Sequence, residues 1–500
     1  MATSGEFILA IDQSTQATKA ILFDRAGRPV GRVTLPHEQI YPSPGWVEHD
    51  PMEILANVKA AALQVLRDSA VPAAAVVCLA ITNQRETVLA WDGETGLPVH
   101  NALVWQDQRG SGLCLELAAA GHAGRIQART GLKLDPYFSA SKLAWIVREC
   151  EPARAALAAG RLMAGTMDTW LIWNLTGRKV FATDYSNASR TLLFDLRKLA
   201  WDSELLELFG LGGLRLSEPR CSDGMFGVAE IPGLGIGLPI AGVMGDSHAA
   251  LFGHCGWHPG DAKATYGTGS SLMSNLGPDP RESGDGVVLS LAWGFQGRPA
   301  YVFEGNIHST GYTLRWLRDN LGLFTSYPEA ERMAVEAGDN GGVYLVPAFA
   351  GLGAPHWEHG VRAILTGLSH GSDRRHIVRA GLESIAFQIA DLVAEMDRRA
   401  ALPLAHLHVD GGPTRNAFLM QFQADLLGIP VIVPAVEELS ALGVAFMGGL
   451  THGLWFGTGE LARLPVRTQE YRPRMGAGQR AALLAGWRSA IVQTLSRKVL

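Results

Sequence analysis

The chain has 500 residues with a formal net charge of -5, and 47% of its residues are apolar. A single core rarely grows past ~250–300 residues, so two or more domains are expected. The near-balanced charge excludes a broad nucleic-acid surface, and no segment approaches the ~20 apolar residues of a membrane span.

The opening Met1-Ala2-Thr3-Ser4-Gly5-Glu6 has no basic stretch followed by an apolar core, so no signal peptide is expected. A short apolar strand, Phe7 to Asp12, leads through the polar turn Gln13-Ser14-Thr15-Gln16-Ala17-Thr18 into a second strand, Lys19 to Asp24. Strand, hydroxyl-rich turn and strand predict a β-hairpin. Val76 to Ile81 reads as a buried strand, and Ala140 to Glu149 as a helix with Leu143, Ile146 and Val147 on one face. A second hairpin is expected from Ala262–Tyr266 through Gly267-Thr268-Gly269-Ser270-Ser271 to Leu272–Ser274. Gly342 to Pro347 reads as a strand, Arg374 to Arg398 as a long helix and His406 to Asp410 as a strand. Gly411-Gly412 and a helix from Ala417 to Leu427 follow, stopped by Gly428 with Pro430 beyond. Each hairpin opens one half, a weak internal repeat in an alternating α/β pattern. Cys78, Cys114, Cys150, Cys221 and Cys255 are scattered, odd in number and form no C-x-x-C. That pattern argues against a disulfide framework or zinc site and for a reducing cytoplasm. His254, His258, His356 and His359 follow no zinc spacing, and no metal is assigned to them.

No lysine precedes Ser or Thr and no G-x-G-x-x-G occurs, so two common phosphate-binding loops are missing. Two facing glycine/hydroxyl hairpins offer another way to hold phosphate, with backbone N–H groups and hydroxyls converging on the oxygens. A single hairpin of this kind is ordinarily just a turn.

The hairpins around Asp12 and Thr268 and the segment Asp410-Gly411-Gly412 resemble the two phosphate motifs and the adenosine motif of the actin-like ATPase superfamily. Tyr137 to Ile146 resembles the first signature of the FGGY family of carbohydrate kinases. Gly367-Leu368 through His376-Ile377 to Leu382-Glu383 resembles the second, with Gly381 an imperfect fit. The blocks Tyr41–Pro51, Ile81–Thr87, Thr183–Thr191, Pro347–Trp357 and Phe418–Asp425 are similar to the family's glycerol-phosphorylating members.

The resemblance implies two actin-like (ribonuclease H-like) α/β domains, 1–254 and 255–500, with the active-site cleft between them. It implies ATP and Mg²⁺, a small polyol or sugar acceptor with glycerol first, no nucleic-acid partner, no membrane insertion, a homodimer and a cytoplasmic location. Phosphoryl transfer needs positioning, charge neutralisation and a base at the attacking hydroxyl. Asp246 matches the family's base, although an Asp before a helix is by itself as readily an N-cap. Asp12 matches a Mg²⁺ ligand acting with Asp246, where a turn-forming aspartate is the plainer reading. Thr15, Gln16, Ala17 and Lys19 match the first phosphate loop, and Thr268 and Gly269 the second. Gly311, Arg315, Gly411, Gly412 and Asn416 match nucleotide positions, with a solvated helix face as the alternative for Arg315. Arg85, Glu86, Trp105, Tyr137, Asp246 and Ser247 match the acceptor pocket. The plainer readings are a surface ion pair for Arg85–Glu86 and a core aromatic for Trp105.

Three departures bear on the acceptor. Ser247-His248 replaces Gln-Gln, Ser271 replaces an aromatic, and Asn306 and His308 are atypical. Ser247 and Ser271 imply a roomier pocket, and Asn306 and His308 either add polar contacts to extra hydroxyls or, for His308, refill the space. A four- or five-carbon polyol or ketose is the alternative acceptor (erythritol, threitol, xylitol, xylulose or ribulose). The loop Gly233–Gly237 lies where some members bind fructose 1,6-bisphosphate, but it lacks basic side chains, so such feedback is not expected. Two readings from other classes compete: a non-catalytic sugar- or nucleotide-sensing protein on the same fold, and an actin- or chaperone-like ATPase acting on a protein. The retained Asp12 and Asp246 oppose the first, and Arg85, Glu86 and Tyr137 would be without purpose in the second.

Overall fold

Two sheets built on one strand order carry the molecule. The computed structural model describes residues 6–400, 402–465 and 467–497. Met1–Gly5, most of the segment in which no signal peptide is expected, lie outside them.

The first sheet takes β1 (Phe7–Gln13), β2 (Ala17–Asp24) and β3 (Pro29–Pro36) and then, after helix α1 (Pro51–Ser69), β4 (Val76–Asn83), β5 (Met225–Glu230) and β6 (Gly237–Gly245), in the order β5-β6-β4-β1-β2-β3. β1 pairs antiparallel with β2 in the register Asp12↔Lys19 and parallel with β4 in the register Asp12↔Thr82. The second sheet comprises β7 (Ala262–Tyr266), β8 (Ser270–Gly277), β9 (Val288–Phe295), β10 (Arg298–Ile307), β11 (Leu407–Asp410), β12 (Val431–Pro434) and β13 (Thr468–Tyr471), in the order β9-β10-β8-β7-β11-β12-β13. Setting aside the extra edge strand β9, β3-β2-β1-β4-β6-β5 matches β10-β8-β7-β11-β12-β13 in position and direction. Three strands run antiparallel, two join in parallel, and an antiparallel strand closes the edge. The repeat that sequence shows only at the two hairpins therefore extends across both sheets.

Residues 48–216 add a five-stranded sheet and the helix α2 (Ser139–Glu149). Leu143, Ile146 and Val147 of α2 are buried, the face expected from spacing. The first half closes with α3 (Asp246–Gly253), which leaves the end of β6. The second half carries α4 (Gly311–Asp319), α5 (Arg374–Arg399), α6 (Ala417–Leu427) and α7 (Leu439–His452). Gly428 ends α6 with φ 73°, a left-handed cap that glycine adopts without a Cβ penalty.

One element differs from expectation. The strand read over 342–347 shortens to Tyr344–Val346 and pairs only with Ile364–Thr366. Gly341 and Gly342 take positive φ, and Pro347 has no N–H to donate, so neither end can extend. Helix α7, late in the sequence, packs on the first sheet. Its Leu442, Ala445 and Phe446 share a core with Ile8, Ala10, Ile21, Phe23, Ala80 and Met244. An α7 residue cap, Glu438, thereby reaches the first hairpin. No helix among the described residues is long and apolar enough to cross a membrane.

Candidate active site

The ends of β4 and β6, the strand β10 and the segment holding Arg190 bring together a largely buried cluster of charge. Arg85, just past β4, forms a bidentate pair with Glu304 of β10, at 2.9 Å from Nη1 to Oε2 and 2.8 Å from Nη2 to Oε1. Its Nε lies 3.2 Å from Asp246 Oδ1, close enough for an ion pair but out of hydrogen-bond line. Arg190 donates from Nε to Glu86 Oε1 at 2.6 Å and sets Nη1 2.8 Å from Glu304 Oε2. Arg85, Glu86, Arg190 and Glu304 are all buried, so the surface ion pair contemplated for Arg85–Glu86 is overturned. Arg85 and Glu86 do not pair with each other; each meets a partner distant in sequence. Burial opposes charge on Glu304, but Arg190 and Arg85 hold its carboxyl well below the usual carboxylate range. Burial raises the Glu86 carboxyl, against the pull of Arg190 and Arg85. Burial also pushes the Tyr137 phenol well above its ordinary value.

Asp246 is the first residue of α3 rather than its cap. Gly245 occupies the cap position, and Asp246 Oδ1 accepts from the Ser247 N–H at 2.6 Å. Its side chain is 38% exposed, so a proton acceptor in this otherwise buried group remains reachable. Trp105 is half-buried, its ring 5.6 Å edge-on to Tyr137, and its Nε1 donates to Thr15 Oγ1 at 3.0 Å. That bond ties the Trp105–Tyr137 pair to the first hairpin turn.

In that turn Ser14 N and Oγ both donate to Ala17 O, at 2.9 and 2.8 Å, while Gln16 is exposed. Asp12 is buried inside β1 and is not a turn residue. Burial pushes its carboxyl up to about 6, with Lys19 pulling down and Glu438 and Asp246 pushing up. Lys19 Nζ contacts Glu438 Oε2 at 2.8 Å and Asp12 Oδ2 at 3.3 Å, so its charge is already shared by two carboxylates.

The second hairpin is braced by α4. The N–H groups of Thr310 and Tyr312 donate to Thr268 O at 3.0 and 3.1 Å, and that of Gly311 to Gly267 O at 3.0 Å. A cavity of about 520 Å³ opens beside it, lined among others by Thr268, Gly311, Arg315, Gly412 and Asn416. Arg315 is exposed and lies over the Tyr312 ring at 5.2 Å, on the cavity wall. Asn416 also caps α6, its Oδ1 accepting from Leu419 N at 2.8 Å. Gly411 has φ 96°, and a Cβ there would collide with Tyr266 O, whereas a Cβ on Gly412 would meet nothing within 4 Å. Protein packing thus accounts for Gly411 but not for Gly412, which is free to face a ligand. Gly269 packs under Ile307 O and is not on the cavity wall.

The departures also find places. Ser271 Oγ donates to Glu304 Oε1 at 3.3 Å, and His248 is buried with Nε2 3.4 Å from Ser290 Oγ. His308 stacks 6.4 Å from His359. His254 pairs with Asp410 at 2.8 Å. Residues that sequence reasoning missed are Arg190, Glu304, Ser139 and Lys142. Glu304 is the one charged residue in the strand Arg298–Ile307 after its first position, a signal that could have found it.

Residues 7–253 match the N-terminal domain, and residues 262–452 the C-terminal domain, of the FGGY family of carbohydrate kinases. Glycerol kinase 1 of Thermotoga maritima is 48% identical over 490 residues, covering 98% of this chain and 100% of that protein. A glycerol kinase of Symbiobacterium thermophilum is 47% identical over 485 residues, covering 97% of each. The crystal structure of Plasmodium falciparum glycerol kinase with ADP superposes with a TM-score of 0.93 at 35% identity, covering 98% of both chains.

Proposed function

Because the chain belongs to the FGGY family of carbohydrate kinases, we propose that it transfers the γ-phosphate of ATP to a hydroxyl of glycerol, forming glycerol 3-phosphate. The observation that carries this reading is the convergence of Arg85, Glu86, Trp105, Tyr137 and Asp246 beside the first hairpin, with the cavity of Thr268 and Gly412 on the second. The relatives named as glycerol kinases support the acceptor.

In this reading Arg85 and Glu86 hydrogen-bond the acceptor hydroxyls and Trp105 packs on its carbons. Asp246, reachable at the start of α3, accepts the proton of the attacking hydroxyl. The turn Thr15-Gln16-Ala17 and the backbone at Thr268 and Gly269 cradle phosphate oxygens, and Lys19 supplies local positive charge. Gly311, Arg315, Gly411, Gly412 and Asn416 shape the nucleoside cavity, whose volume suits a small-molecule site. Asp12 and Asp246 fit Mg²⁺: they are hard oxygen donors near enough for Asp246 to raise the Asp12 carboxyl, a repulsion that a cation relieves. Bound there, Mg²⁺ supplies neutralisation of phosphate charge.

We divide the chain at 254/255, with α7 returning to cover the first sheet. The five unpaired cysteines support a cytoplasmic setting, and the family resemblance supports a homodimer, to be read by light scattering. The small side chains of Ser247 and Ser271 at the cluster favour a second reading with a four- or five-carbon polyol or ketose. ADP release with Mg-ATP against glycerol, erythritol, threitol, xylitol, ribitol, xylulose and ribulose tests both. Highest kcat/KM for glycerol supports the first reading and a longer compound winning supports the second. Acceptor-independent release would reject a kinase acting on a small molecule.

A further inference from the structure

The buried ammonium of Lys142 does work that the acceptor-contact residues leave unexplained. Lys142 sits in the first turn of α2, fully buried, with its side chain folded back toward the helix start. Its Nζ donates to three consecutive carbonyls: Pro136 at 2.8 Å, Tyr137 at 2.6 Å and Phe138 at 3.0 Å. An ammonium has three N–H donors, so all are used, and all on the segment that presents Tyr137. A cation at a helix N-terminus runs against the macrodipole, and burying it is costly, so local helix stability does not account for a lysine here. The same turn holds two other pieces of the pocket. Ser139 Oγ donates to Glu86 O at 3.0 Å, holding a residue whose φ is 60°, and Ala140 N donates to Thr191 O at 2.9 Å, next to Arg190.

We propose that Lys142 is a positioning residue for acceptor binding, a staple that fixes the Tyr137 segment against the Glu86 and Arg190 segments through the first turn of α2. This rests on the kinase reading for its kinetic consequence, but the staple itself does not. Around Lys142 the charged or titratable groups are Glu86, Asp107, Asp135 and Cys114. Burial lowers its pKa to about 8, and burial raises the Cys114 thiol to about 11. Between pH 7.5 and 9.5 Lys142 therefore loses its charge, and the staple weakens as pH rises.

The test compares wild type with Lys142→Met. Hydrogen exchange over residues 131–138 is expected to rise in the variant while β1 and α6 stay protected, whether or not any acceptor is turned over. The acceptor KM is expected to rise about tenfold, with kcat and the ATP KM changing less than about threefold. If the variant does not fold, the wild type decides. Its exchange over 131–138, corrected for intrinsic chemistry, should increase between pH 7.5 and 9.5, and its acceptor KM should increase several-fold with the ATP KM flat. Unchanged protection of 131–138 in the variant, or an unchanged acceptor KM in a variant of an active enzyme, overturns the proposal. Wild-type enzyme that phosphorylates no polyol refutes the kinase reading, and the exchange result still decides the staple.

Discussion

The two hairpins that open the two halves share strand order and pairing, yet they are loaded differently. In the first, Asp12 on β1 faces Thr82 on β4; in the second, Thr265 on β7 faces Asp410 on β11. The carboxylate has changed strands. Burial lifts the Asp12 carboxyl to about 6, with Glu438 and Asp246 adding to the rise. Burial acts on Asp410 too, but His254 and Lys263 hold its carboxyl below the ordinary value. A common scaffold therefore fixes where a group sits, while its neighbours decide what it can do. In the first hairpin Asp12 and Glu438 share Lys19, and burial still keeps the Asp12 carboxyl raised, which is why the proposed metal role falls to this half. The second satisfies its carboxylate internally and leaves glycine backbone open to a nucleoside.

The sharpest break of that comparison is Asp246→Asn. Loss of a general base is expected to lower kcat by about 10²–10⁴; a kcat within about threefold of wild type would remove Asp246 from the chemistry. Next is Glu304→Gln, which leaves Arg85 and Arg190 buried without their shared counter-charge. Removing one partner of a buried pair costs about 3–5 kcal/mol, read as a fall in the urea midpoint, with a raised acceptor KM. The second hairpin is probed by a pair of glycines. Gly411→Ala drives a Cβ into Tyr266 O and is expected to cost about 2–3 kcal/mol. Gly412→Ala meets open space, so stability should hold within about 0.5 kcal/mol while the ATP KM rises.

The smallest effect lies away from both hairpins, at Glu383 of α5. Burial lifts its carboxyl from 4.5 to about 7, with Arg379 opposing. The folded chain then holds a proton that the unfolded chain releases near pH 4.5, so stability present in acid is lost as pH rises through 7. Glu383→Gln removes that loss. Its urea midpoint should gain on wild type between pH 5 and pH 8, by on the order of 1 kcal/mol.

Local chemistry made the hairpins legible: apolar strands, hydroxyl-rich turns, and Gly428 closing α6. The burial of Leu143, Ile146 and Val147 likewise follows from helical spacing. What stayed hidden depends on partners far apart in the chain. Glu304 reaches Arg85 across 219 positions, and periodicity within a strand cannot see that. Helix α7 is largely apolar, and nothing in its own residues says that it crosses back to the first sheet. Lys142 lies inside a recognised signature, but its role appears only when its three carbonyl partners are known.

The division of labour between the halves is tested most directly by initial rates with glycerol and Mg-ATP varied together, in wild type, Arg85→Lys and Gly412→Ala. The predicted result is separation: Arg85→Lys raises the glycerol KM and leaves the ATP KM near wild type, and Gly412→Ala does the reverse. Both constants moving together in either variant would contradict it.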